Sequence, residues 1–285
     1  MRFARLGQPG EEIPVASIDG RLLDLRPITP DIDAAFLAND PAGAVTAGLD
    51  RLTELDGADA LRVGAPIARP GTVYCIGMNY AAHAREGGAE PPEDIIVFLK
   101  PAHTIVGPDD AVMLPPQTST VDWEAELAIV IGKRVWQLPD AGAAREHIAG
   151  FAVANDLSER TWQLQRSGGQ WSKGKGAPGF CPLGPWLVTA DSIDPGDLRI
   201  QSFVNGDVRL DSRTSDMIFD VDTIVANLST HTVLEPGDVI LTGTPEGVAV
   251  SGRFPYLQPG DTVEIAIESL GRQRQHVAAA AATVA

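Results

Sequence analysis

Cysteine is nearly absent from this 285-residue chain. Cys75 and Cys181 are the only two, too few for a disulfide framework or for a zinc site built on thiolates. Positive charge is also scarce: 22 Lys and Arg face 38 Asp and Glu, a formal charge of −16. Nucleic acids and anionic membranes need a basic footprint, so neither is expected as a partner. The acidity itself reads as a solvated surface. No run approaches the ~18 apolar residues of a membrane span. The leading segment Met1–Gly7 turns polar at Gln8-Pro9-Gly10, before a stretch of signal-peptide length can form. A cytoplasmic protein is expected. The chain also lacks a phosphate-cradling glycine motif and any strand–helix alternation, which argues against dinucleotide and nucleotide-phosphate folds.

Turn formers are plentiful, with 29 Gly and 22 Pro. Residues 1–66 read as a small N-terminal β-rich domain with strands at Arg2–Leu6, Ile13–Ile18 and Arg21–Leu25. Asp19-Gly20 is the hairpin signal, and short helices are predicted at Asp31–Leu37 and Leu49–Leu55. Gly64, Pro66, Pro70 and Gly71 mark the passage into a second domain, 67–285. There Pro-Gly-Asp recurs at 195–197, 236–238 and 259–261, each time before an apolar run. Pro presets φ for the first central position of a type II turn and Gly supplies the positive φ of the second, so a mainly antiparallel β core is predicted. Asn205-Gly206 adds a hairpin. Helical patterns are few: Asp140–Ile148, Asp156–Arg166 and Ile218–Leu228.

The segment Val121–Gly132 carries the most chemistry. On a strand, Trp123, Ala125, Leu127, Ile129 and Ile131 share one face, while Asp122, Glu124 and Glu126 share the other, continued by Ala128 and Val130. Stacked carboxylates repel one another, and apolar neighbours imply that they are buried, at a cost of several kcal/mol each without compensation. A divalent cation removes the conflict, and carboxylate oxygens select Mg²⁺, Mn²⁺ or Ca²⁺ over zinc. The alternative is an edge strand whose acidic face is wet.

Asp156 follows the apolar run Ile148–Ala154, where a carboxylate can project from a strand end. If a helix begins there, Asp156, Arg160 and Gln163 share one face. Asp156 with Glu159 also spells a capping box, and Asp156–Arg160 an ordinary ion pair. His83 and Glu86, at i, i+3, suit a water-activating base oriented by a carboxylate, or a solvated surface pair. Gly87-Gly88 beside them suggests a mobile flank. Lys175 lies in a glycine-rich loop, where it would hold a substrate carboxylate or stabilise an enolate oxygen, or simply meet solvent. The turn Thr242-Gly243-Thr244 offers N–H and hydroxyl donors, and Lys100 reads as structural rather than catalytic.

Taken in order, Ile76–Tyr80 with His83 and Glu86, Phe98–Pro101, Asp122–Gly132, Asn155–Gln163, Lys175, Pro182–Trp186, Thr242–Val248 and Pro259-Gly260-Asp261 resemble the fumarylacetoacetate hydrolase family, from about residue 72 to 278. The opening unit and the Gln170–Lys175 loop look most like its branch of sugar-acid and ureidoglycolate enzymes. The resemblance implies an α+β, mainly β fold, a mixed β-roll, and a homodimer. It implies Glu124, Glu126 and Asp156 as Mg²⁺ or Mn²⁺ ligands and His83–Glu86 as the water-activating dyad. Lys175 would stabilise the enolate, while Arg160, Gln163 and Thr244 would contact substrate. Asp122 matches no ligand position and is expected to support the site. Pro178 stands where many relatives carry an Asp. The expected activity is hydrolysis of a C–C bond in a diketo acid or acylpyruvate-type 2-oxo acid. An oxaloacetate-type decarboxylase or keto–enol isomerase on the same site, and a catalytically lapsed metal-binding scaffold, are the alternatives.

Overall fold

The computed structural model describes residues 1–86, 88 and 90–279. Two β-sheets enclose most of the core. The larger has ten strands, and its main path runs Arg21–Asp24, Ile13–Ile18, Arg2–Leu6, Leu187–Thr189, Ile148–Asn155, Ala125–Ile131, Val239–Leu241, Val73–Gly77 and Ile96–Lys100. The tenth strand, Val63–Gly64, pairs with Arg2–Leu6. Pairing is antiparallel except where Val239–Leu241 runs parallel to Val73–Gly77, so the sheet is mixed. A five-stranded sheet faces it, ordered Asp207–Arg213, Arg199–Val204, Thr262–Ile267, Gly271–Ala279 and Val112–Leu114.

The acidic segment lies mid-sheet, between Ile148–Asn155 and Val239–Leu241, which removes the wet-edge alternation as an explanation of its charge. Its alternation divides it between two cores. Leu127, Ile129 and Ile131 pack with Ile200, Val263 and Ile265 of the second sheet. Ala128 and Val130 pack with Phe3, Leu25 and Ile67 from the leading part of the chain. Each such Leu, Ile or Val removed from water contributes about 1.5–3 kcal/mol, enough to hold this strand rigidly in place.

The turn pattern is realised in two of three places. Gly237 (φ 88°) and Gly260 (φ 99°) adopt the left-handed conformation, and the aspartate after each accepts from a backbone N–H, Asp238 from Glu235 and Asp261 from Gln258. Pro195–Asp197 forms a single 3₁₀ turn instead, capped by the Asp194 side chain on Gly196 N–H. Several of the predicted helices are shorter or looser than their patterns. Asp31–Leu37 yields Ala34–Ala38, Leu49–Leu55 only the 3₁₀ turn Leu49–Arg51, and Asp140–Ile148 a 3₁₀ segment at Ala141–His147. Val221–His231, capped by Asp220, is the one long α-helix among the described residues. No described helix is long and apolar enough to cross a membrane.

Candidate metal centre

Three acidic side chains meet where two neighbouring strands lose their regular pairing. Val121–Asp122 pairs with Ser158–Glu159, the chain leaves that ladder at Trp123–Glu124, and pairing with Ile148–Asn155 begins at Ala125. Backbone groups fix the break: Glu124 N–H donates to Asn155 Oδ1 at 3.1 Å and Asp156 N–H to the Glu124 carbonyl at 2.9 Å. Glu124, Glu126 and Asp156 are thereby brought together, buried, each offering an oxygen within 4.8 Å of the others.

The predicted helix starting at Asp156 is not formed. Ser158 is committed to pairing with Asp122 and Arg160 N–H to the Thr120 carbonyl, so only Thr161–Gln165 coils, as a single π-type turn. Glu159, rather than Asp156, caps it, accepting from Trp162 N–H at 2.6 Å and from the Thr120 hydroxyl. Asp156 is thus free of capping and faces the cluster.

Three cations counter the acids. Lys175 Nζ lies 2.5 Å from Glu124 Oε2 and 2.7 Å from Asp156 Oδ2. Lys100 Nζ lies 2.6 Å from Asp156 Oδ1, at ion-pair distance but outside hydrogen-bond geometry, and donates to the Leu157 carbonyl. Arg160 spans Asp122 and Glu124, with Nη2 2.7 Å from Asp122 Oδ2 and Nη1 2.7 Å from Glu124 Oε1, and also donates to Gln163 Oε1. Asp122 further accepts from the N–H groups of Trp123, Ala249 and Val250, so it anchors Arg160 and a loop to the sheet, as a supporting residue should. Lys100 is a member of this network, which its surroundings in sequence did not reveal.

Glu124 and Glu126 are two residues apart on one face, yet their electrostatics are opposite. Burial pushes the Glu124 carboxyl up, but Lys175 and Arg160 outweigh it and hold it at about 2. Glu126 is pushed well above the usual carboxylate range by burial and then by the charges of Asp156 and Glu124. Its hydrogen-bond partner is Gly243 N–H at 2.7 Å. That contact requires glycine: Gly243 has φ +93°, and a Cβ would stand 2.9 Å from Asn79 Cβ and 3.1 Å from the Ile76 carbonyl. Asn79 braces the turn from below, accepting from Phe219 N–H and donating to the Phe219 and Thr242 carbonyls.

The cluster forms the floor of a cavity of about 480 Å³. His83, Glu86, Arg160, Gln163, Thr244 and Lys175 also line it, while Asp156, paired with Lys175, and the supporting residues Asp122 and Lys100 lie behind the wall. His83 and Glu86 lie on the short helix Ala81–Glu86 with Nδ1 and Oε2 3.9 Å apart, and both are largely buried, not a solvated pair. Burial lowers the His83 pKa from its ordinary value, partly opposed by Glu124, and its Nδ1 is buried without a partner. Glu86 instead accepts from Gly247 N–H at 3.1 Å and pairs with Arg253 at 2.9 Å. Of the suggested mobile flank, Gly87 lies outside the described residues. Pro178 is exposed and does not line the cavity.

The donor set fits a divalent cation. It is all carboxylate oxygen, the choice of hard ions such as Mg²⁺ and Mn²⁺, and it includes one carboxyl, Glu126, that no side-chain cation pairs.

Comparison with known proteins agrees with this architecture. Residues 72–278 match the family model described as fumarylacetoacetate (FAA) hydrolase C-terminal. A mitochondrial oxaloacetate tautomerase of Bos taurus is 50% identical over 209 residues, covering 73% of this chain and 66% of that protein. A 2,4-didehydro-3-deoxy-L-rhamnonate hydrolase of Sphingomonas sp. (strain SKA58) is 40% identical over 282 residues, 97% of this chain and 96% of that one. The crystal structure of maleylpyruvate hydrolase from Sphingobium sp. SYK-6, in complex with manganese(II) and pyruvate, aligns with a TM-score of 0.81 at 28% identity, over 98% of this chain and 99% of that chain. The chain belongs to the fumarylacetoacetate hydrolase family, a family with hydrolase and tautomerase members, and its full-length likeness to the rhamnonate enzyme agrees with the sugar-acid branch.

Proposed function

We propose that this member of the fumarylacetoacetate hydrolase family is a divalent-metal-dependent hydrolase that cleaves a C–C bond in a diketo acid or acylpyruvate-type 2-oxo acid. The observation that carries the reading is the presence of a buried, unpartnered imidazole nitrogen on the wall of the same cavity as the three carboxylates. Glu124, Glu126 and Asp156 would hold Mg²⁺ or Mn²⁺. When bound, the ion supplies a Lewis acid for the carboxylate and 2-oxo oxygens of the substrate.

The remaining steps belong to the chain's own groups. His83, kept neutral by burial, takes a proton from water as that water attacks the carbonyl two carbons beyond the 2-oxo group. Glu86 is placed to stabilise the imidazolium so formed. The bond between C3 and C4 breaks, the acyl part leaves as a carboxylic acid, and C3 takes a proton to give a 2-oxo acid. Lys175, with two of its three N–H donors engaged by Glu124 and Asp156, has one left for the developing enolate oxygen. Gln163 and Thr244 offer neutral donors along the cavity, and Arg160 acts on the substrate through Gln163 and Glu124. A homodimer, a cytoplasmic location and the absence of nucleic-acid or membrane partners complete the proposal.

The 50% identity to an oxaloacetate tautomerase favours a second reading, in which the same base moves a proton between C3 and the enol oxygen with no attacking water. Acetylpyruvate and oxaloacetate, supplied to the Mn²⁺- and Mg²⁺-loaded protein with product identification, separate the two. Acetate and pyruvate from the first support hydrolysis. Tautomerisation or decarboxylation of oxaloacetate without acetylpyruvate cleavage supports the second. Tight Mn²⁺ binding with neither would mark a lapsed scaffold.

A further inference from the structure

Two glutamines face the core from Gly271–Ala279, a strand of the five-stranded sheet. The strand alternates, so Arg272, Arg274 and His276 meet solvent while Gln273, Gln275 and Val277 point into the molecule. Both glutamines are fully buried. A buried amide costs free energy unless its donors and acceptor are met, so two in succession on the inward face of a strand call for a reason.

Their partners supply it. Gln273 Nε2 donates to the Val153 carbonyl at 3.0 Å and reaches the Gly184 and Pro182 carbonyls at 3.3 and 3.4 Å, which ties the strand to the larger sheet. Gln275 Nε2 donates to the Pro108 carbonyl and to Gln273 Oε1. Both of its N–H groups are then used, and Oε1 is left to accept. The donor that meets it is Asn155 Nδ2 at 3.0 Å. Asn155, also fully buried, accepts Glu124 N–H through Oδ1 at 3.1 Å. A line of three side-chain amides thus runs from the second sheet to the place where Glu124 leaves its ladder and Asp156 follows Asn155. The line has a single polarity. A carbonyl only accepts, so Pro108 fixes the Gln275 nitrogen, Gln275 Oε1 then fixes Asn155 Nδ2, and Asn155 is left with its oxygen towards Glu124 N–H. Without Gln275, nothing in this line would stop the Asn155 amide from turning over and setting N–H against N–H.

We infer that Gln275 is a positioning residue for the metal centre, holding the Asn155 amide in the one orientation that fixes the backbone from which Glu124 and Asp156 project. The inference rests on the metal-centre reading above. Gln275 does not line the cavity, and its side-chain partners are Asn155 and Gln273, so it acts on the centre only through Asn155. Neutral amides suit the task, because they hold the turn without adding a charge beside buried carboxylates.

The test titrates Mn²⁺ into the full-length protein and reads the free ion by electron paramagnetic resonance. Four proteins are compared with one another: the parent, Gln275→Met, Asn155→Ala and the double variant. Methionine keeps the length of glutamine and removes its amide. Gln275→Met should weaken Mn²⁺ binding about tenfold or more, the usual cost of losing a group that orients a ligand, and Asn155→Ala at least as much. The double variant should lose no more than Asn155→Ala alone, because the two residues act in series. Val204→Ala opens a cavity in the same sheet away from the amides, so it should lower the denaturation midpoint yet leave Mn²⁺ affinity within about twofold. Parent-like affinity in Gln275→Met overturns the inference. So do losses that add in the double variant, or an equal loss in Val204→Ala. Should Gln275→Met fail to fold, Gln275→Asn, one methylene too short to reach Asn155, carries the same comparison. Failure of both to fold would assign the glutamines to stability alone and overturn the inference as well. If the parent binds Mn²⁺ and the variants match it, the metal reading stands and only the positioning role falls. If the parent takes up no Mn²⁺, both fall.

Discussion

The floor and the rim of the cavity are built on opposite principles. On the floor, acids and bases interlock: Lys175 joins Glu124 to Asp156, Arg160 joins Glu124 to Asp122, and Lys100 closes on Asp156. Its three clustered carboxylates lie on or at the ends of two central strands, Ala125–Ile131 and Ile148–Asn155, that are buried on both faces. At the rim, His83 rides on a six-residue helix, its Nδ1 has no partner, and its carboxylate neighbour is 3.9 Å away and held by a loop. A set of ligands gains from rigidity, because its geometry must exist before the ion arrives. A base must change protonation during turnover, so an unpaired nitrogen stays available for the proton, at a cost of about 1–3 kcal/mol for a buried polar atom left unsatisfied. Substitutions at the floor should therefore damage metal binding and stability, and those at the rim the chemistry alone.

The largest effects are expected on the floor. Glu126→Ala should reduce turnover to the level of metal-stripped protein and abolish Mn²⁺ binding in calorimetry. Undiminished activity in that variant would remove the carboxylates from the mechanism. Asp122→Ala takes away the partner of a buried guanidinium and leaves three backbone N–H groups unmet, so it should destabilise the fold by about 3–5 kcal/mol in urea denaturation. A loss below 1 kcal/mol would show that the floor is looser than its contacts imply.

His83→Ala comes next and sharpens the contrast. It should lower hydrolytic kcat by about 10²–10⁴-fold, the usual contribution of a positioned base, while Mn²⁺ affinity stays within a few-fold of the parent value. A parallel collapse of Mn²⁺ binding would place His83 with the floor. The pH profile adds a sign. Burial lowers the His83 pKa, so the neutral, proton-accepting form survives below the ordinary imidazole value. The acid limb of kcat/KM should therefore fall at a pH below about 6.5, and a limb above that value would assign the base to another group.

The floor was legible in the sequence to a degree that the rim was not. Strand alternation has a period of two, so Val121–Gly132 alone placed Glu124 and Glu126 on one face and predicted that apolar neighbours would bury them. The hairpins at Asp19-Gly20 and Asn205-Gly206 were read the same way, from turn chemistry that acts over two residues. What failed was local reading where a distant segment decides. Nothing near Asp156 shows that Ser158 is held by Asp122, so the helix expected to start there is replaced by a short ladder and one wide turn. Lys100 sits in an ordinary edge strand, and only the sheet order and the fold of Leu157 bring its ammonium to Asp156. The Gly243–Glu126 contact depends on the Asn79 brace more than 160 residues away in sequence, a distance no periodicity spans.

Arg253 offers the smallest effect and the finest cut between floor and rim. It is 58% exposed, stacks on Phe254, and meets Glu86 at 2.9 Å. An ion pair so open to solvent contributes about 0–1 kcal/mol to stability, so Arg253→Ala should leave the denaturation midpoint almost unchanged. Glu86, however, would lose one of the two contacts that aim it, keeping Gly247 N–H alone. If Glu86 serves by orienting and stabilising the imidazolium of His83, its wider motion should lower kcat several-fold at constant KM, and Arg253→Lys should restore part of the loss. A change in KM alone would place Arg253 on the substrate path. A change in neither would mean that Gly247 is sufficient, and that the rim, like the floor, is fixed by its backbone.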